Sequence, residues 1–163
     1  MKKEDFEKLI EEHQNELIRY AYRLLGGGDY TADAVQEAFI SFYKSKSTIA
    51  NPKAWLFRVV RNRCIDYLRK NSRQSVLKES YSIKSNVSSP DKTVMALEKL
   101  ELIRQGYEEL NDREREVLSL KMEHSKSYKE IAEIMDISSN YVGYIMHEAM
   151  NKLKDKVMTR GER

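Results

Sequence analysis

One cysteine is present in 163 residues, so Cys64 cannot form a disulfide within the chain. With only His13, His124 and His147 scattered around that thiol, no zinc-ligand spacing arises, and no structural metal is expected. Proline occurs twice, at Pro52 and Pro90, and glycine six times, three of them consecutive at Gly26 to Gly28. Turns are therefore few, and an all-β fold is excluded. No apolar run approaches the roughly 18 residues that a membrane span needs. Met1 to Asp5 also lacks the apolar stretch of a signal peptide, so the expected location is cytoplasmic. No carboxylate pair, nucleophile with a base, or phosphate-cradling glycine loop can be assembled, and Gly26 to Gly28 has no Walker pattern. Neither catalysis nor a cofactor is expected.

What the chain has in abundance is charge, at 34% of residues against 40% hydrophobic. The usual charged share of a globular chain is about 25%, and the excess suits exposed helices. The net charge of +3 conceals an uneven distribution. Residues 1–52 carry seven bases and nine acids, 53–78 eight bases and one acid (Asp66), 79–95 equal numbers, and 96–163 twelve bases and fourteen acids. One 26-residue stretch thus holds the whole positive excess. Such a patch suits a polyanion, because each base placed at a phosphate releases condensed counterions. A merely solvated helix face is the plainer alternative.

Residues 74–89, with six serines and little periodicity, read as a flexible linker. Ser89 followed by Pro90 is a helix-start signal, so order is expected to resume there. The expected architecture is all-α, with two small helical domains over 1–73 and 90–163. In the first, Phe6, Leu9, Ile10, Leu17, Ile18, Ala21, Leu24 and Leu25 recur at helical spacing up to a glycine stop. A second helix begins near Tyr30 to Asp33. On it Ala34, Val35, Ala38 and Phe42 share a face, while Asp33, Gln36, Glu37 and Ile40 point the other way. Asn51-Pro52 starts a third, with Leu56, Val60, Cys64, Tyr67 and Leu68 as its buried stripe and Arg58, Arg61, Asn62, Arg69 and Arg73 opposite.

The second half holds the most specific local signal. Ile131, Ala132 and Met135, a turn through Asp136, Ile137 and Ser138, then Val142, Ile145, Met146, Ala149 and Leu153 form a helix-turn-helix pattern. Ser127 with Glu130 suits a capping box, and Ser138 or Ser139 can cap the second helix. Asp136 stands where glycine is common, and Asp accepts a left-handed conformation better than most residues. Ser139, Asn140, Tyr141, Tyr144, His147 and Asn151 occupy the side that would meet base edges. A plain helical hairpin in a bundle is the competing interpretation.

Three segments in order, TADAVQEAFISFYK (31–44), NPKAWLFRVVRNRCIDYLRK (51–70) and ELNDREREVLSLKMEHSKSYKEIAEIMDIS (109–138), make the chain resemble the extracytoplasmic-function sigma factors of bacterial RNA polymerase, in the sigma-70 superfamily. The resemblance implies a sigma factor that binds core RNA polymerase and directs promoter-specific initiation, with an anti-sigma factor as a further partner. It implies that Asp33, Gln36, Glu37 and Phe39 dock on the polymerase. It also implies that the helix from Pro52 to Arg73 opens and reads the minus-ten element, with Arg58, Arg61, Asn62, Asp66 and Arg69 at the DNA, and that the loop Lys44 to Asn51 captures an extruded base. Residues 90–163 would then read the minus-thirty-five element. Asn can both donate to and accept from a base edge, whereas Arg only donates. Asp66 could instead pair with Arg69 or Lys70. For Trp55, beside the basic face, core packing is expected ahead of base stacking, and Cys64 reads as core filler. One departure stands out: Gly143, Glu148 and Met150 sit where the family commonly has bases, and positive charge comes only at Lys152, Lys154 and Lys156. Weaker or differently specified minus-thirty-five binding follows. Gly143 implies either close backbone approach or a tolerated defect. The rivals are a stand-alone helix-turn-helix repressor and a helical interaction adaptor.

Overall fold

The computed structural model describes residues 1–72 and 94–161. The expected linker 74–89, Arg73 and the helix start at Ser89-Pro90 lie outside the described residues. Seven helices and no strand occur among those described: α1 (Lys3–Leu25), α2 (Tyr30–Lys44), α3 (Pro52–Asn71), α4 (Val94–Glu109), α5 (Asp112–Met122), α6 (Tyr128–Met135) and α7 (Ser139–Gly161). They form two compact units, one built on α1 to α3 and the other on α4 to α7.

In the first unit, α1 ends where the glycine run requires it to. Gly26 adopts φ 71°, and both its N–H and that of Gly27 donate to the Tyr22 carbonyl. Gly27 and Gly28 follow at φ 100° and 102°, a region that side chains strongly disfavour, so the chain can reverse at once into α2. Helix α3 starts as its sequence predicts: Asn51 Oδ1 accepts from the Ala54 N–H at 3.1 Å, with Pro52 in the first turn. The core joins Leu17, Tyr20 and Ala21 of α1, Ala34, Val35, Ala38 and Phe42 of α2, and Ala54, Leu56, Phe57, Val60 and Cys64 of α3. Tyr20 and Phe57, with ring centroids 5.0 Å apart, are its largest pieces.

Three positions differ from expectation. Tyr67 and Leu68, assigned to the buried stripe, are 37% and 40% exposed. Near the C-terminal end of α3, Tyr67 meets the first residue of α2 instead, lying flat on Tyr30 with centroids 4.2 Å apart. Phe39, assigned to the polymerase-docking face, is buried, edge-on against Phe6 at 6.4 Å.

In the second unit, Asn111 and Glu114 form a reciprocal capping box at the start of α5 (2.8 and 3.2 Å). Ser127 and Glu130 form the expected one at α6, both bonds at 3.1 Å. Asp136 takes the left-handed turn position at φ 54°. Ser138, the nearer of the two candidate caps, accepts from the Tyr141 N–H at 3.1 Å. Leu110, Val117, Leu120, Ile131, Ala132, Val142, Ile145 and Ala149 form the core. Gly106 suits the close approach of α4 to α7, because a Cβ there would lie 3.0 Å from Leu153 Cδ2 and oblige that side chain to shift. Gly143 has no such duty. Its added Cβ would meet only the Tyr128 ring at an ordinary 3.7 Å, which makes it the tolerated defect.

Candidate nucleic-acid interface

Helix α3 presents one continuous outward stripe. At 100° per residue, Trp55, Arg58, Asn62, Asp66 and Arg69 fall within about 80° of one another, opposite Phe57, Val60 and Cys64. Asn62, Asp66 and Arg69 are exposed, while Arg58 and Trp55 are half-buried. Arg61, also half-buried, flanks the stripe on the side away from α2. Trp55 lays one edge against Phe42 at 5.5 Å yet remains on the stripe, so core packing accounts for part of its surface only. Asp66 does approach Arg69, but at 3.9 Å between largely exposed side chains. A pair so solvated is weak and leaves the carboxylate available.

Sequence periodicity missed the ion pair that ties this helix to α2. Arg63 Nη1 donates to Glu37 Oε2 at 2.7 Å and its Nη2 to Ser41 Oγ at 2.8 Å. Arg63 lies around α3 from the outward stripe, on the side facing α2, and is spent within the fold. So, in part, is Glu37. Beside this pair, burial above all, and then the Glu37 charge, push the Tyr30 phenol above its ordinary pKa, with Arg63 opposing. The docking quartet thus separates: Asp33 and Gln36 are exposed, Glu37 is half-buried and bonded inward, and Phe39 is core. Ile40 and Tyr43 continue the exposed face, at 47% and 61%.

In the second unit Ser139, Asn140, Tyr141, Tyr144 and His147 are all exposed on α7, and Asn151 shares a hydrogen bond with His147 at 3.1 Å. Tyr141 and Tyr144 lie nearly parallel, centroids 6.3 Å apart. Of the three late lysines Lys154 is exposed, but Lys152 and Lys156 do not compensate for a face that has Glu148 and no base from Ser139 to Asn151. Lys152 Nζ donates to the buried capping carboxylate of Glu114 at 2.7 Å, and Lys156 pairs with Glu109. Cations stand instead on α5, at the flanks of α7. The Arg113 guanidinium lies 5.6 Å from the Tyr141 ring centroid and donates to its hydroxyl at 3.1 Å. The Lys121 ammonium lies 5.2 Å from the ring centroid of Tyr128, the side chain beside Gly143. Arg113, Tyr141, Tyr144 and Glu148 help to line one shallow cleft.

Among the described residues no three His, Cys, Asp or Glu side chains converge as a metal site, and no helix is long and apolar enough to cross a membrane.

Residues 9–74 match the family model Sigma-70 region 2, and residues 108–155 match Sigma-70, region 4. The ECF RNA polymerase sigma factor SigM of Bacillus subtilis is 30% identical, over 91% of this chain and 92% of its own. The ECF RNA polymerase sigma factor SigL of Mycobacterium tuberculosis is 32% identical, over 90% of this chain and 85% of its own. The fold is also that of the sigma factor RpoE solved in complex with the anti-sigma factor NepR from Bartonella quintana, with TM-score 0.71 at 24% identity over 94% of this chain and 97% of that one.

Proposed function

Because this chain belongs to the sigma-70 family, as an extracytoplasmic-function RNA polymerase sigma factor that directs promoter-specific initiation, we propose the following division of labour between its two units. Residues 1–73 join core polymerase through the exposed part of α2 and hold the melted minus-ten strand along α3. Residues 90–163 set α7 into the major groove of the minus-thirty-five element, and residues 74–89 connect the two. The observation that carries this reading is the outward stripe on α3, where Asn62 and Asp66 stand among Arg58, Arg61 and Arg69.

Arginine supplies phosphate contacts with little sequence content, whereas a side chain that both donates and accepts can discriminate a base edge. Energy from holding an unstacked base offsets the cost of opening the duplex, so melting requires no catalytic group on this chain. Nucleotidyl transfer belongs to the polymerase, and the factor works in the cytoplasm as an initiation factor rather than an enzyme. Its partners are core RNA polymerase, promoter DNA and an anti-sigma factor, the last of these because the RpoE relative is bound by one.

Reconstitution tests the assignment. Purified protein added to core polymerase should give transcripts with defined starts on genomic DNA. Tight binding to a symmetric duplex operator without polymerase would instead establish the repressor reading.

A further inference from the structure

Glu37 stands at the margin of the outward face of α2. With Gln36, Asp33 and Ile40 it falls within an arc of about 100°, and Ser41 lies about 40° beyond it, on the side from which α3 approaches. Arg63 of α3 reaches across this margin. Its Nη1 donates to Glu37 Oε2 at 2.7 Å and its Nη2 to Ser41 Oγ at 2.8 Å, so the planar guanidinium is fixed at two points.

Tyr30 closes the arrangement from the first turn of α2. Its hydroxyl donates to the same carboxylate, and its ring lies flat on Tyr67 of α3, with centroids 4.2 Å and planes 8° apart. Arg63 and Tyr67 are four residues apart and therefore share one side of α3. Two side chains one turn apart on α3 thus determine, directly and through Tyr30, where a carboxylate of α2 points.

Stability is a weak reason for such a bridge. The Arg63 and Glu37 side chains are 34% and 46% exposed, and a pair so solvated contributes little. Arg63 Nε is buried with no hydrogen-bond partner among the described residues, which costs part of what the other two bonds contribute. What the bridge delivers is order. A glutamate free in solvent loses rotamer freedom when it docks, whereas one already held does not, and that difference is worth about 2- to 10-fold in affinity.

We propose that Arg63 is a positioning residue for polymerase docking, holding the Glu37 carboxylate in the orientation that the polymerase receives. The proposal rests on the docking role given above to the exposed part of α2. It extends that role to a residue of α3 that acts through Glu37 and touches no partner itself.

The test is the Kd of full-length variants for purified core RNA polymerase, measured without DNA and well below each variant's unfolding midpoint. Arg63→Ala should weaken binding about 2- to 10-fold. Arg63→Met keeps the aliphatic stem without the charge and should bind as weakly as Arg63→Ala. Arg63→Lys can still donate to Glu37 and should recover part of the loss. Arg19→Ala removes an exposed base of the same unit and should leave Kd unchanged. Glu37→Ala should itself bind more weakly than wild type, and adding Arg63→Ala to it should bring no further loss, because the arginine then has nothing to position. An equal loss in both backgrounds would overturn the proposal, since Arg63 would then act independently of Glu37. Unchanged or tighter binding by Arg63→Ala would overturn it as well, as would an equal loss in Arg19→Ala, which would mean a general effect of charge. The reading beneath it fails differently: Glu37→Ala binding core polymerase as tightly as wild type would remove Glu37 from the docking face and reject the positioning role with it.

Discussion

Gly143 stands inside a helix with room for a methyl group beside it. Glycine costs about 1 kcal/mol of helix propensity relative to alanine, so Gly143→Ala should stabilise the second unit by about that much, read as a raised urea midpoint. In the first unit Arg63→Ala removes two hydrogen bonds to α2 from a partly exposed site. A loss of about 1 kcal/mol is expected, and Glu37→Gln should cost less because the amide can still accept. Asn62→Ala has a functional signature: strand opening by the holoenzyme, followed by permanganate reactivity of unpaired thymines, should fall more than closed-complex formation. Equal loss of both steps would remove Asn62 from base capture. Residues whose roles depend on neighbours along the chain are legible in the amino-acid order alone, among them the Asn51 cap, the Ser127 and Glu130 box and the left-handed Asp136. Those set by distant partners are not. Arg63 meets Glu37 across 26 positions and Lys152 meets Glu114 across 38. Periodicity gives the direction of a side chain but not what stands opposite.

Among the helices, α4 depends most visibly on its own surface. Val94, Met95 and Leu97 are exposed, and Arg104 bridges Glu101 and Glu108 one turn to either side. Hydrogen bonds from Arg104, and then Gln105, lower the Glu101 pKa to about 2. A lowered folded-state value means that the contribution is present above the ordinary carboxylate pKa of 4.5 and is lost as pH falls toward 2. Protection factors of the α4 amides, taken against the intrinsic exchange rate at each pH, should therefore fall over that interval, and Glu101→Gln should flatten the dependence. For α3, periodicity predicts the start and the buried stripe through Cys64, but not the exposure of Tyr67 and Leu68. The apolar stripe continues in sequence past the point where the other helices cover it. For α7, replacement of Asn140 or Tyr144 should change the preferred minus-thirty-five sequence, scored by selection from a randomised duplex library. An unchanged preference would mean that another face of α7 reads the DNA.

At the scale of the molecule, the proposed assignment of one promoter element to each unit makes the two modules, joined by a serine-rich segment, a bivalent ligand. The second contact forms at an effective concentration set by the tether, so correct separation of the two promoter elements multiplies the affinity of each. Inserting a few base pairs between the elements should therefore reduce initiation more than a single mismatch within either, measured as transcript yield at fixed polymerase. The two-unit division is visible in composition alone, because the serine-rich interval marks it, whereas the abrupt change of charge around residue 53 falls inside the first unit, between α2 and α3. The face proposed for polymerase docking is only partly visible: periodicity turns Ile40 outward, as found, but the resemblance that assigns Phe39 to that face does not tell that its ring is buried.

Bonds that hold the second unit together run along the margins of α7: Lys152 to the α5 cap, Lys156 to Glu109, Ser138 to its own first turn. Asn140 and Tyr144, in the middle of the outward face, belong to none of these and lie outside the core. Their identity is consequently uncoupled from foldability. With the base-reading role proposed for them, a lineage could retarget such a factor to new genes by exchanging those two letters, with no compensating change in the scaffold.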